Sequence, residues 1–373
     1  MIKLESVTKT FSGTEKPAVN DVSFSVETGH ISVFVGPSGC GKTTIMRMIN
    51  RLVEPTSGNI FIDNRNIMEI NGDSLRRGIG YVIQQIGLLP HRTIEQNVAI
   101  VPRLLKWPEE KTAQRVNELL ETVGLNPDEV SPKYPHQLSG GQMQRVGVAR
   151  ALAVDPPVML MDEPFGAVDP IVRLKLQDEF LKLQQEVRKT ICFVTHDINE
   201  AIKMGDDIVI LNEGKLVQKG SPMEILSNPA NSFVENLIGD DRGVKLLDLT
   251  KVEALMKKEA RINTEEIRYR SDKERISNGS FANRNNNISG GSCSINGVFS
   301  SNNDRSSNDI GNNNYSNCTV QTYEPVKMAL EVMMRNNTDV IGVCEKEKFR
   351  GTISWSDIKK HINKISGNKG GQQ

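Results

Sequence analysis

The sequence has no surplus of charge, because 46 basic residues balance 46 acidic ones. Proteins that track a nucleic acid or lie on an anionic membrane by electrostatics carry excess Lys and Arg, so neither is an expected partner. Long hydrophobic runs are also missing: no stretch reaches the ~18–20 consecutive apolar residues that cross a bilayer, and attachment to a membrane would have to go through another protein. Cysteine is sparse. The five residues Cys40, Cys192, Cys293, Cys318 and Cys344 are odd in number and lack the close pairing of a zinc site. No basic-then-apolar leader opens the chain. These absences lead us to expect a cytosolic, reduced protein.

The 373 residues exceed one ordinary domain, so more than one core is expected. Residues 1–240 alternate short β-branched apolar segments with longer amphipathic ones, the pattern of an α/β domain on a mainly parallel sheet. Its clearest strands are 31–35, 80–83, 158–161, 191–195 and 208–211. Apolar positions Ile171, Leu174, Leu176, Phe180, Leu181 and Leu183 predict a surface helix over 170–189 that covers this sheet. Between about 94 and 157 strands give way to helices, as in an inserted helical subdomain. Residues 241–277 read as a linker with a short helical and strand-like stretch. From 278 to 318 Asn, Ser and Gly dominate, with too few large apolar side chains to offset the entropy of ordering, so disorder is expected. A structured α+β region resumes over 319–366, with helices at 325–335 and from 356, strands at 339–344 and 351–354, and a disordered tail at 367–373.

Three tracts carry chemistry. Gly36, Pro37, Ser38, Gly39, Cys40, Gly41, Lys42 and Thr43 fit G-x-x-x-x-G-K-[ST], directly after a predicted strand and with Thr44 opening a helix. Glycines let successive N–H groups converge on phosphate oxygens, the helix N-terminus adds positive potential, Lys42 reaches the β/γ oxygens and Thr43 offers its hydroxyl to Mg²⁺. Asp162 and Glu163 end an apolar strand, where one carboxylate would hold Mg²⁺ and the other would polarise an attacking water. Alone, such a pair is more often a cap or a surface feature; beside a phosphate loop it gains meaning. The third tract, Leu138, Ser139, Gly140, Gly141 and Gln142, is a small-residue turn that feeds a helix, another place for backbone N–H groups to meet an anion.

That third tract resembles the signature sequence of the ABC transporter ATPases at all five positions. The resemblance implies a RecA-like α/β ATPase cassette with an inserted helical subdomain, using ATP and Mg²⁺. It also implies a head-to-tail homodimer in which Ser139, Gly140, Gly141 and Gln142 contact the ATP of the partner subunit. Position by position, Gln84 resembles the Q-loop glutamine that senses Mg²⁺ and the membrane subunit, and Asp162 the Mg²⁺-holding aspartate. Glu163 resembles the catalytic base, His196 the switch histidine, and Asp169 the D-loop aspartate of the dimer interface. Phe11 stands where the family commonly has a tyrosine stacked on adenine, so stacking is kept and a phenol hydrogen bond is lost. Such a subunit sits peripherally on the cytoplasmic face of the membrane, on integral permease subunits and, through them, an external substrate-binding protein.

Residues 79–91, 161–171 and 195–203 resemble the ATPases of glycine betaine/carnitine/choline importers, which implies uptake of a quaternary amine osmoprotectant. An importer of another small solute, and a soluble ABC ATPase acting outside transport, are the alternatives. Residues 319–362 resemble a CBS repeat in which Ser354 and Asp357 would hold the ribose of an adenine-nucleotide regulator. The stretch 241–277 would then be a degenerate first copy.

Overall fold

A computed structural model describes residues 1–83, 87–166, 168–258, 319–346 and 348–366. The chain divides into two compact units, Met1–Ile238 and Gly239–Gln373.

In the first unit the strands are β1 (Ile2–Lys9), β2 (Val19–Val26), β3 (Ile31–Val35), β4 (Ser57–Ile62), β5 (Arg65–Asn66), β6 (Ile79–Val82), β7 (Val158–Asp162), β8 (Thr190–Val194), β9 (Asp207–Asn212) and β10 (Lys215–Gly220). Six of them form one sheet in the order β10-β9-β3-β8-β7-β6. Its neighbours pair in parallel except β10, which returns antiparallel on β9. Every residue of β3, β7 and β8 is buried, as expected where helices cover both faces of a parallel sheet. The others make an antiparallel sheet, β2-β1-β4-β5. The two sheets share a core in which Phe24 of β2 meets Phe34 of β3 edge-on, with ring centroids 5.3 Å apart.

Between β6 and β7 the described chain is helical, with Ile94–Val98, Ile100–Leu104, Glu109–Thr122, Pro127–Val130 and Gly140–Ala151. Thr93 starts the first of these with a capping box, its hydroxyl accepting from the Gln96 N–H. Helix Pro170–Val187 buries Leu176, Gln177, Phe180, Leu183 and Gln184. That corrects the expected face: Ile171 and Leu174 are 81% and 58% exposed. The buried stripe steps by three and four residues from Leu176, and Ile171 and Leu174 fall off it.

The second unit holds β11 (Lys257–Lys258), β12 (Thr319–Gln321), β13 (Val340–Glu345) and β14 (Lys348–Ser354), in the order β11-β14-β13-β12. Helices Val326–Asn336 and Trp355–Ser366 accompany this sheet around a core of Val320, Val326, Ile341, Val343, Ile353 and Ile358. Residues 259–277 of the 241–277 stretch, the tracts 278–318 and 367–373, and Gln84 lie outside the described residues. Among the described residues no helix is long and apolar enough to cross a membrane.

Candidate active site

The six-stranded sheet brings the first two chemical tracts to the C-terminal ends of its interior strands β3 and β7. β3 ends at Val35, and the loop from Gly36 to Gly41 runs into helix Lys42–Ile49. Gly36 has φ of 154°, and a Cβ on it would lie 2.1 Å from the Leu211 carbonyl oxygen. At Gly41, with φ of 105°, a Cβ would lie 2.6 Å from the Ala18 oxygen. Both positions therefore need glycine, and the loop is pressed against β9 and the β1–β2 connection. That connection carries Phe11, which is 41% exposed, with the Lys9 ammonium 5.2 Å from its ring centroid. Lys42 is buried, and its Nζ donates to the carbonyls of Gly36 (2.7 Å) and Pro37 (2.9 Å) and lies 3.7 Å from Cys40 Sγ.

Thr43 Oγ1 donates to Asp162 Oδ1 at 3.1 Å, which joins the helix to the end of β7 across 119 residues of sequence. Burial pushes the Asp162 carboxyl above the ordinary range, and the Thr43 hydroxyl pulls it back. The charge of Glu163 adds to the rise, while Arg47 and Lys42 offset it. Glu163 adopts a left-handed backbone with φ of 45°, its N–H donating to Val194 O at 3.0 Å and its carbonyl accepting from Gly166. This turn sends its side chain to His196, whose Nδ1 is 3.4 Å from Glu163 Oε1.

The signature tract forms a capped helix start. Ser139 Oγ accepts from the Gln142 N–H at 3.3 Å, and Gln142 Oε1 accepts from the Ser139 N–H at 3.0 Å. A Cβ on Gly141 would lie 3.4 Å from Val172 Cγ1, so the tract rests against the start of helix Pro170–Val187. Asp169 caps that helix, its Oδ1 accepting from the Ile171 N–H at 3.0 Å. Among the described residues, no hydrogen bond or ion pair joins the signature residues to the phosphate loop of the same chain.

Arg47 and Tyr81, which no motif in the sequence marks, are also placed close to Asp162. Arg47 could have been found, since it follows Thr43 by four residues and thus shares its helix face. In the second unit, Ser354 Oγ donates to Asp357 Oδ2 at 2.5 Å, and Lys257 Nζ lies 3.1 Å from Asp357 Oδ1. Burial works against ionisation there, but the bonds from Ser354 and Lys257 win and hold Asp357 below the ordinary carboxylate range.

The donors suit ATP and Mg²⁺. Positive φ at Gly36, Gly39 and Gly41 (154°, 80° and 105°) gives the loop the turns by which successive backbone N–H groups can converge on phosphate. Thr43 and Asp162 pair a hydroxyl with a carboxylate, hard oxygens of the kind Mg²⁺ takes while keeping its waters and substrate phosphates.

A family model described as ABC transporter matches residues 19–166. The chain belongs to the ATP-binding proteins of ABC transporters. It is 59% identical to the glycine betaine/carnitine/choline transport ATP-binding protein OpuCA of Bacillus subtilis, over 69% of this chain and 67% of that protein. To the choline transport ATP-binding protein OpuBA of the same organism it is 54% identical, over 73% and 70%. Among solved structures, the dimeric ABC transporter cassette MJ0796 aligns with a TM-score of 0.54 at 38% identity, covering 60% of this chain and 99% of that one. The same cassette in a post-hydrolysis state bound to ADP and Pi aligns with a TM-score of 0.54 at 37% identity, over 60% and 99%.

Proposed function

We propose that this chain hydrolyses ATP to drive uptake of a quaternary amine osmoprotectant: glycine betaine, carnitine or choline. The observation that carries the chemistry is the meeting of Thr43 with Asp162 and of Glu163 with His196 beside one phosphate loop. The names of the relatives, at 59% and 54% identity, support the solute class.

In this reading the loop from Gly36 to Thr44 cradles the phosphates with its backbone N–H groups, Pro37 having none to give, and Lys42 neutralises charge on the β/γ oxygens. Phe11 stacks on adenine. Mg²⁺ bound by Thr43, Asp162 and Gln84 would supply charge neutralisation on the phosphate oxygens. Glu163 orients a water and takes its proton as the water oxygen attacks the γ-phosphorus and the bond to the β–γ bridging oxygen breaks, releasing ADP. His196 steadies the Glu163 carboxylate from 3.4 Å and faces the transferred group. Ser139, Gly140, Gly141 and Gln142 close over the ATP of a second copy, with Asp169 at the interface, so hydrolysis requires a homodimer. The separation of signature from phosphate loop within one chain and the dimeric form of the similar MJ0796 cassette support this. The motion passes to permease subunits that receive solute from an external binding protein, with this chain on the cytoplasmic face of the membrane.

The order strand, helix, strand, strand, helix over 319–366 supports a CBS-like repeat in the second unit. An adenine nucleotide held by Ser354 and Asp357 there would compete with Lys257 for the Asp357 carboxylate.

The test is Glu163→Gln. The amide keeps the shape but cannot take a proton, so turnover should fall by about 10²–10⁴-fold with ATP binding retained. Hydrolysis at the unaltered rate would remove Glu163 from the base role.

A further inference from the structure

One buried carboxylate is left unused by this chemistry. Glu200 lies on helix Ile198–Met204, two residues after Ile198, and is 8% exposed. Gln177 Nε2 donates to Glu200 Oε1 at 2.9 Å, and both side chains are buried. Gln177 belongs to helix Pro170–Val187, which begins at Asp169. The Thr195 hydroxyl also hydrogen-bonds the carboxylate, and it accepts from the Asp197 N–H at 3.0 Å. Thr195 and Asp197 are the two neighbours of His196, so the turn carrying the histidine is tied to the Glu200 carboxylate through the Thr195 hydroxyl. Arg173 stands on the helix that bonds Glu200, near enough to act on its charge, and its Nη2 donates to Val168 O at 3.1 Å, next to Asp169. A buried charge costs several kcal/mol without partners, and a leucine would fill this place more cheaply. The hydrogen-bonded alternative fixes direction as well as volume.

We propose that Glu200 is a positioning residue for His196: bonded to Gln177, it locks the turn that presents the histidine to Glu163 onto the helix that starts at Asp169. The switch histidine and the interface aspartate are thereby parts of one rigid connection, and the inference rests on the ATPase reading above. Displacement of a reacting group by about 1 Å can cost on the order of 10²-fold in rate. Loss of the connection should therefore act on turnover and spare nucleotide binding.

The experiment is a double-mutant cycle on the full chain, with kcat and KM for Mg-ATP measured for Glu200→Ala, His196→Ala and the pair. Glu200→Ala should lower kcat by about 10- to 100-fold with KM for ATP unchanged within about twofold. In the His196→Ala background it should cost nothing further. Glu200→Gln, whose carbonyl can still accept from Gln177, should recover most of the rate. If Glu200→Ala does not fold, Gln177→Leu breaks the same bond from the other helix and enters the same cycle. An equal loss with and without His196, or an effect confined to KM, overturns the proposal. Glu163→Gln run alongside separates the two failures: full activity in that variant defeats the ATPase reading itself.

Discussion

Replacing Gly36 with alanine puts a methyl group 2.1 Å from the Leu211 carbonyl oxygen and 2.9 Å from Cys40 Sγ, at a φ of 154°. Ordinary contact begins near 3.4 Å, so the loop or β9 must give by more than about 1 Å, in a core that does not yield easily. Backbone strain of about 1–3 kcal/mol and overpacking of about 1–3 kcal/mol predict a loss of about 2–6 kcal/mol. Gly39 is the control. It too has a positive φ, of 80°, but a Cβ there meets nothing within 4 Å, which isolates the backbone cost. Gly39→Ala should lose only about 1–2 kcal/mol. For a unit the size of Met1–Ile238, each 1 kcal/mol shifts Tm by about 2–4 °C. Thermal unfolding should therefore place Gly36→Ala several degrees below Gly39→Ala. Equal shifts would refute the claim that the loop is wedged against β9.

Lys42→Ala removes an ammonium that satisfies the Gly36 and Pro37 carbonyls and would meet the phosphates, so ATP affinity should fall by about 10- to 100-fold, at about 1.5–3 kcal/mol for a charged hydrogen bond. Equilibrium binding of a fluorescent ATP analogue checks this, and unaltered affinity would contradict it. Burial raises the Glu200 carboxyl above the ordinary range against the Thr195 hydroxyl and Gln177 amide; Asp197 adds to the rise and Arg173 opposes it. Between the unfolded and the raised folded pKa, the folded chain therefore binds more of this proton than the unfolded chain does. This contribution to stability is complete in acid and is lost as pH rises through the raised pKa. Urea unfolding from about pH 5 upward should show the native chain losing stability relative to Glu200→Gln and then levelling off; parallel curves would refute the burial argument.

The parallel strands were legible because β3, β7 and β8 are buried on both faces and read as unbroken apolar runs. β1 left a weaker mark. Its buried Ile2 and Leu4 alternate, but an irregularity between Leu4 and Val7 breaks the period of two, so the antiparallel sheet was not anticipated. The phosphate loop and the Asp162–Glu163 pair were readable from residue type and flanking strand, whereas their meeting through Thr43 depends on sheet order, which no local pattern encodes. Ile171 and Leu174 misled, because an apolar residue near a helix start counts towards periodicity whether or not it faces the core. Glu200 and Gln177 gave no signal at all. A carboxylate and an amide on two helices look like surface residues until packing buries both.

If hydrolysis at Glu163 drives import of a quaternary amine, uptake of the solute must depend on that carboxylate. We would measure uptake of labelled glycine betaine, carnitine and choline after osmotic upshift, in cells carrying the native chain or Glu163→Gln. Uptake of at least one of the three with the native chain, and its loss with Glu163→Gln, is the expected result. Equal uptake in both would contradict it.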